Sequence, residues 1–307
     1  MFILNVKEAA EKAFDVSVLF FQKEILFMTK FAIAAVVAAS MFATYAEDAP
    51  KPDAPKPAHP IGYQDTPLLP KEASGEWHVH DGLRPQPRVV TPGTFSTPEV
   101  PGKAPADAVV LFDGKDLDKW HSGKKDEPCK WKIENGDLIS VAKAGYVFTK
   151  DDFGDFQLHI EWASPNPPHG DSQGRGNSGV FLHGKYEIQV LDCYNNPTYP
   201  DGSAGSVYGQ HPPLVNASLP PGQWQTYDIV FTGPRYKEGK LETPAYVTVF
   251  HNGVVTQNHA EIYGSTGHRT LGKYDGKTEK GPIGLQDHGN PVHFRNIWIR
   301  PLKGYDE

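Results

Sequence analysis

From residue 108 towards the C-terminus, apolar residues recur at alternate positions in short runs: "AVVLFDG", "WKIENGDLISV", "DFQLHIEW", "SGVFLH", "YEIQVLD", "WQTYDIVF", "AYVTVFHNGVV", "IGLQDHG" and "VHFRNIWIR". A period of two marks a strand, because successive side chains leave opposite faces of a sheet. Gly, Pro, Asn or Asp falls in almost every gap, which supplies the turns. No amphipathic helix of three turns appears after residue 50. The pattern predicts an all-β fold, a two-sheet antiparallel jelly-roll sandwich in one domain over residues 108–307. A propeller would show a repeat of roughly 40 to 50 residues, and none is present.

The same alternation sorts polar residues. In "DFQLHIEW" it sends Phe156, Leu158, Ile160 and Trp162 to the core and Gln157, His159 and Glu161 to the other face. In "YEIQVLD", Ile188 and Val190 point inward, while Glu187 and Gln189 share the opposite face roughly 7 Å apart. Gln286 and His288 repeat that spacing in "LQDHG", and "FRNIWIR" adds Arg295. These residues are predicted to form one continuous, concave polar face, with Tyr186, Tyr194 and Tyr208 near it. Planar hydrogen-bonding groups beside aromatic rings suit a sugar, which presents hydroxyls at its edge and C–H bonds on its faces. A solvent-facing sheet surface is the plainer reading of each position taken alone. "QGRGNSG" supplies Arg175 and Asn177 as donors on a glycine-rich bend, and it lacks the strand-turn-helix frame of a phosphate loop. In "HVHD", His78 and His80 share a strand face at a spacing that metals use, without an identifiable third ligand.

Charge and composition narrow the class. The net charge of −7 disfavours nucleic acid or an anionic membrane surface as partner. "MTKFAIAAVVAASMFATYAEDAP" has a lysine, a short apolar run and small residues before Ala46, the layout of a secretory signal peptide with Met28 as an alternative start. The run is shorter than the ~20 residues that span a bilayer, so the mature chain is expected to be exported, periplasmic or extracellular, without an integral membrane span. Residues 47–76 read as a Pro-rich linker and 77–107 as an extended arm packing on the domain; residues 47–105 hold 13 of the 28 prolines. Cys129 and Cys193 are a candidate disulfide or two buried thiols, and nothing in the sequence specifies an oligomeric state.

The motifs "LFDGKDLDKW", "FTKDDFGDFQLHIEW", "GRGNSGVFLHGKYEIQVLD", "PPGQWQTYDIVF", "TVFHNGVV" and "LQDHGNPVHFRNIWIR", running in order from about residue 108 to 302, resemble the 3-keto-disaccharide hydrolase domain family. The resemblance implies a concanavalin A-like jelly roll and cleavage of a 3-keto-glycoside, a small carbohydrate substrate. A C3 ketone acidifies the C2 hydrogen, so one base can start an elimination that water addition completes. It implies Glu187 or His288 as base, and Arg175, Asn177, Gln189, Tyr208, Gln286, Arg295 and Glu161 as substrate-binding residues. A divalent metal held by Asp192 with Glu187 and His288 is a further candidate. Two alternatives stay open. One is an inert carbohydrate-binding, lectin-like module. The other is an ordinary glycoside hydrolase with a carboxylate pair, for which the Glu187, Gln189, Asp192 run lacks the middle acid.

Overall fold

The computed structural model describes residues 61–70 and 77–304. The signal-peptide region and most of the Pro-rich linker lie outside the described residues. The chain divides into two units, residues 1–84 and 85–307. In the first, Leu68 and His78 form an antiparallel bridge, and the His78 ring bonds to the Thr66 carbonyl.

In the second unit, the alternation of "FQLHIEWA" becomes strand β6 (Phe156–Ala163), whose Phe156, Leu158, Ile160 and Trp162 are fully buried. β6 sits inside an eight-stranded antiparallel sheet. Its other members are β1 (Val109–Phe112), β3 (Lys132–Glu134), β4 (Asp137–Ile139), β9 (Gln225–Thr232), β12 (Tyr246–His251), β13 (Val254–Glu261) and β15 (His293–Pro301). The order is β13-β12-β9-β6-β15-β4-β3, with β1 also paired to β15. Asn135-Gly136 and Asn252-Gly253 turn the β3–β4 and β12–β13 hairpins, and all four residues have positive φ. That is the chemistry a two-residue hairpin with right-handed strand twist requires.

A second sheet has the order β2-β5-β14-β7-β8. It consists of β2 (Trp120–Ser122), β5 (Val147–Thr149), β7 (Ser178–Leu182), β8 (Tyr186–Val190) and β14 (Gly284–Leu285). A short ribbon, β10 (Arg235–Lys237) with β11 (Lys240–Thr243), completes the strands. The two sheets share one apolar core. Phe231 of β9 packs against His183 and Tyr186 of the second sheet, and the buried Tyr227 hydroxyl donates to the Gln189 carbonyl at 2.6 Å. The predicted antiparallel sandwich is thus the observed fold. Among the described residues no helix is long and apolar enough to cross a membrane.

β8 is terminal in its sheet, yet its open side is closed by loops. Gln189 N–H donates to Ser206 O at 3.1 Å, Gly205 N–H to Gln189 O at 3.0 Å and Tyr208 N–H to Glu187 O at 3.1 Å. Glu187 N–H donates to the Thr266 hydroxyl at 3.0 Å. Cys129 and Cys193 are free thiols, so they do not form the candidate disulfide.

Candidate functional site

β7 and β8 pair with Phe181 opposite Glu187 and Gly179 opposite Gln189, so all four share one face of the second sheet. Val180, Leu182, Ile188 and Val190 point into the core. Tyr146, just before β5, and Gln286, just after β14, extend this face. Together with Gln173, Asn177, Tyr208, Thr266, His268 and His288 they line a cleft of about 240 Å³.

Glu187 is 4% exposed, and burial pushes its carboxyl up to about 8. Loss of hydration penalises the anion, and among the described residues no cation offsets it. The side chain lies over Gly179: a Cβ there would fall 2.2 Å from Glu187 Oε1. Gly179→Ala is therefore expected to displace the Glu187 side chain while leaving the fold intact, and so to shift the titration of its carboxyl, as measured by NMR alongside circular dichroism.

An amide chain holds the floor. Gln189 Nε2 donates to Gln173 Oε1 at 3.0 Å, and Gln173 Nε2 in turn donates to Thr198 Oγ1 at 2.9 Å and Gly202 O at 2.8 Å. Asn177 Nδ2 donates to Gln173 O at 2.8 Å. Rotating the Gln189 amide by half a turn brings its nitrogen 3.1 Å from Glu187 Oε1. On the other wall, Gln286 Nε2 donates to Tyr146 Oη at 2.6 Å, and burial pushes the Tyr146 phenol up. A phenol that accepts from an amide and resists ionisation keeps its own proton to donate into the cleft.

Of the residues expected from sequence, the cleft brings together Glu187, Gln189, Asn177, Gln286, Tyr208 and His288, the last at its exposed rim. It does not include four others. Arg175 Nε donates to Asp192 Oδ2 at 2.8 Å and its Nη2 to Tyr194 O at 2.9 Å, so Arg175 and Asp192 pair with each other. Among the described residues no three His, Cys, Asp or Glu side chains converge on a position that would hold a metal ion. The expected Glu187, Asp192 and His288 set is therefore not assembled, nor is one around His78 and His80.

Glu161 and Arg295 lie on the outer face of the eight-stranded sheet. Arg295 Nε donates to Glu161 Oε2 at 2.7 Å, and its Nη1 and Nη2 bond the Pro98 and Thr97 carbonyls. Glu161 also takes hydrogen bonds from Ser96 and from Asn296 at 2.7 Å. The polar residues thus form two faces, one on each sheet, and the core separates them. The sequence reading missed Tyr146, Gln173, Thr266 and His268. Of these, only the aromatic-polar run "GYVFT" around Tyr146 carried a signal, a short period-two pattern.

A jelly-roll sandwich with a polar, aromatic-walled cleft on one sheet is the arrangement of a carbohydrate-active protein. Residues 107–300 match the 3-keto-alpha-glucoside-1,2-lyase-like domain family, and the chain belongs to that family. It is 28% identical over 244 residues to a 3-keto-disaccharide hydrolase of Bacteroides thetaiotaomicron, covering 64% of this chain and 80% of that protein. It is also similar to the crystal structure of a candidate glycosyl hydrolase from Parabacteroides distasonis, with 48% identity and a TM-score of 0.68, covering 80% of this chain and all of that one.

Proposed function

We propose that the chain cleaves 3-keto-glycosides by elimination, with Glu187 as the base. The observation that carries this reading is a desolvated carboxylate facing a cleft that also holds a phenol-amide pair, Tyr146 and Gln286. Once ionised, Glu187 takes the C2 proton, and the C–H electron pair enters an enolate whose C3 oxygen receives hydrogen bonds from that wall. The enolate collapses to a C1=C2 double bond, and the C1–O pair leaves with the alcohol oxygen, which gains a proton. Water then adds across C1=C2, returning a hydrogen to C2 and a hydroxyl to C1.

One observation weighs against a glycosidase that works through two carboxylates: Glu187 is the sole carboxylate lining the cleft among the described residues. The signal-like N-terminal pattern supports action outside the cytoplasm, on sugars in the periplasm or medium.

The test is release of the leaving group from a 3-keto-glucoside and from its unoxidised parent. Release from the keto compound alone supports elimination; release from the parent, or glycan binding without turnover, overturns it. Within this reading, Tyr146→Phe is expected to lower kcat about a hundredfold with little change in KM, because its proton meets charge that develops only after C2 is deprotonated.

A further inference from the structure

In the elimination the departing alcohol oxygen needs a proton, and Glu187 already holds the one taken from C2. We infer that Tyr208 is the acid: its phenol gives a proton to the leaving oxygen and later takes one from the water that adds at C1. The inference rests on Glu187 acting as the base at C2 of a 3-keto-glycoside.

Strand order puts the phenol on the side of Glu187 that this role requires. β5, β14, β7 and β8 are neighbours in that order, so Tyr146 and Gln286, at the ends of β5 and β14, lie to one side of Glu187. Tyr208 lies to the other, because it covers the open side of β8 and its N–H donates to Glu187 O at 3.1 Å. All four side chains line the one cleft. In a pyranose, C1 and C3 flank C2. A ring that turns C2 to Glu187 and its C3 oxygen to Tyr146 and Gln286 therefore turns the C1 substituent towards Tyr208.

The surroundings of the phenol suit a group that gives up a proton and recovers it. Tyr208 Oη lies 2.7 Å from Tyr199 Oη and 3.2 Å from His268 Nδ1. When Tyr208 donates into the cleft, the Tyr199 hydroxyl and the Nδ1–H tautomer of His268 can both donate to it, and both meet the phenolate that forms. Burial and the Tyr199 hydroxyl push the Tyr208 phenol up, and the Glu187 anion adds to this. The phenol thus keeps its proton while Glu187 is charged. Once Glu187 takes the C2 proton it becomes neutral, its opposition ends, and the phenol is a stronger acid as the C1–O bond breaks.

The protons balance over the cycle. In elimination the enolate electrons form C1=C2, the C1–O pair goes to the alcohol oxygen, and the Tyr208 proton joins it. Glu187 is left protonated and Tyr208 is left as the phenolate. In hydration Tyr208 takes a proton from water, the hydroxide so formed bonds C1, and C2 recovers its hydrogen from Glu187. Both side chains end as they began.

The test is the rate of alcohol release in a single turnover of the full chain and of its Tyr208→Phe variant. The substrates are methyl, phenyl and 4-nitrophenyl 3-keto-glucosides, since methoxide needs a proton to leave and 4-nitrophenolate does not. The variant is expected to release methanol about a thousandfold more slowly, phenol with a smaller loss, and 4-nitrophenol about threefold more slowly. It is also expected to accumulate the unsaturated keto-sugar, followed by its ultraviolet absorbance, because hydration loses its base. His268→Ala, which keeps the phenol and removes one donor to its anion, is expected to give the same order with about a tenfold loss on the methyl compound. An equal loss on all three substrates would make Tyr208 a binding or structural residue and overturn the inference, as would unchanged release of methanol. If the unaltered protein releases 4-nitrophenol alone, the elimination stands and the acid is overturned. If it releases none of the three alcohols, the elimination itself is overturned.

Discussion

Glu187→Gln is expected to reduce kcat on a 3-keto-glucoside by about a thousandfold, because the amide keeps the shape of the side chain and cannot accept the C2 proton. In the unaltered protein kcat/KM is expected to rise with pH and level off above about 8, where burial holds the Glu187 carboxyl. The residual activity of the variant should lose that limb. A second, opposite effect follows from the same burial. The unfolded chain ionises this carboxyl near its ordinary value of 4.5, whereas the fold keeps it protonated to about 8. The folded state binds more protons across that window, so its stability falls as pH rises from 4.5 to 8. The glutamine variant has no such titration. It is expected to be as stable as the unaltered protein near pH 4.5 and more stable at pH 8, by on the order of a few kcal/mol, read as a higher melting temperature at pH 8 only. A variant that lost neither activity nor the pH limb would remove Glu187 as the base.

The largest loss of stability is expected at the other polar face. Glu161→Ala leaves Arg295, itself 5% exposed, without its carboxylate, and breaking a buried pair by removing one partner costs roughly 3–5 kcal/mol. Burial opposes the charge of both Glu161 and His159, yet their hydrogen bonds prevail. Bonds from His159, Ser96, Asn296 and Arg295 hold Glu161 down at about 2, and bonds to Asp228 and Glu161 raise His159 to about 9. The Glu161 contribution is present above pH 4.5 and lost as pH falls towards 2. That of His159 is present below pH 6.5 and lost as pH rises through about 9. The cluster therefore stabilises the fold most between pH 4.5 and 6.5. Because Glu161 and Arg295 also anchor residues 96–98, Glu161→Ala is expected to hasten proteolysis between residues 93 and 105 and to lower the melting temperature by several degrees at pH 6. Unchanged cleavage and melting would show that the arm is held by other contacts.

These two faces show what alternation can and cannot reveal. Phe156 to Trp162 and Tyr186 to Val190 were legible because each run is long enough for a period of two to stand out. The turns between runs were legible from Gly, Pro, Asn or Asp in the gaps, whereas the Asn-Gly hairpin turns inside "WKIENGDLISV" and "AYVTVFHNGVV" were not separated from their strands. β2, β5 and the β10–β11 ribbon were not among the runs read, since each is only three or four residues long and, unlike β1, β3 and β4, none stands in a longer alternating run. Alternation assigns a residue to one side of its own strand and is silent on which sheet the strand joins. Glu187, Gln189 and Gln286 were placed together correctly, since β7, β8 and β14 are neighbours. Glu161 and Arg295 were grouped with them only because their spacing looked the same. Asp192 was misread for a related reason. Past the end of β8 the alternation lapses, Leu191 becomes core and Asp192 turns back to Arg175. Thr266 and His268 come from a glycine-rich loop whose path is set by its anchors on β8 and Tyr208, contacts far apart in sequence.

The closed side of β8 bears on how the protein behaves at high concentration. A terminal strand with free N–H and C=O groups is a template for another chain, and uncharged, β-branched segments such as Ile188 to Val190 extend such pairing. Here the backbone groups of Glu187 and Gln189 are occupied by residues 205–208 and by the Thr266 hydroxyl. The loops that wall the cleft are thus also gatekeepers against self-association. Variants that shorten either loop to widen the cleft would expose the edge of β8, and clumping would accompany the change.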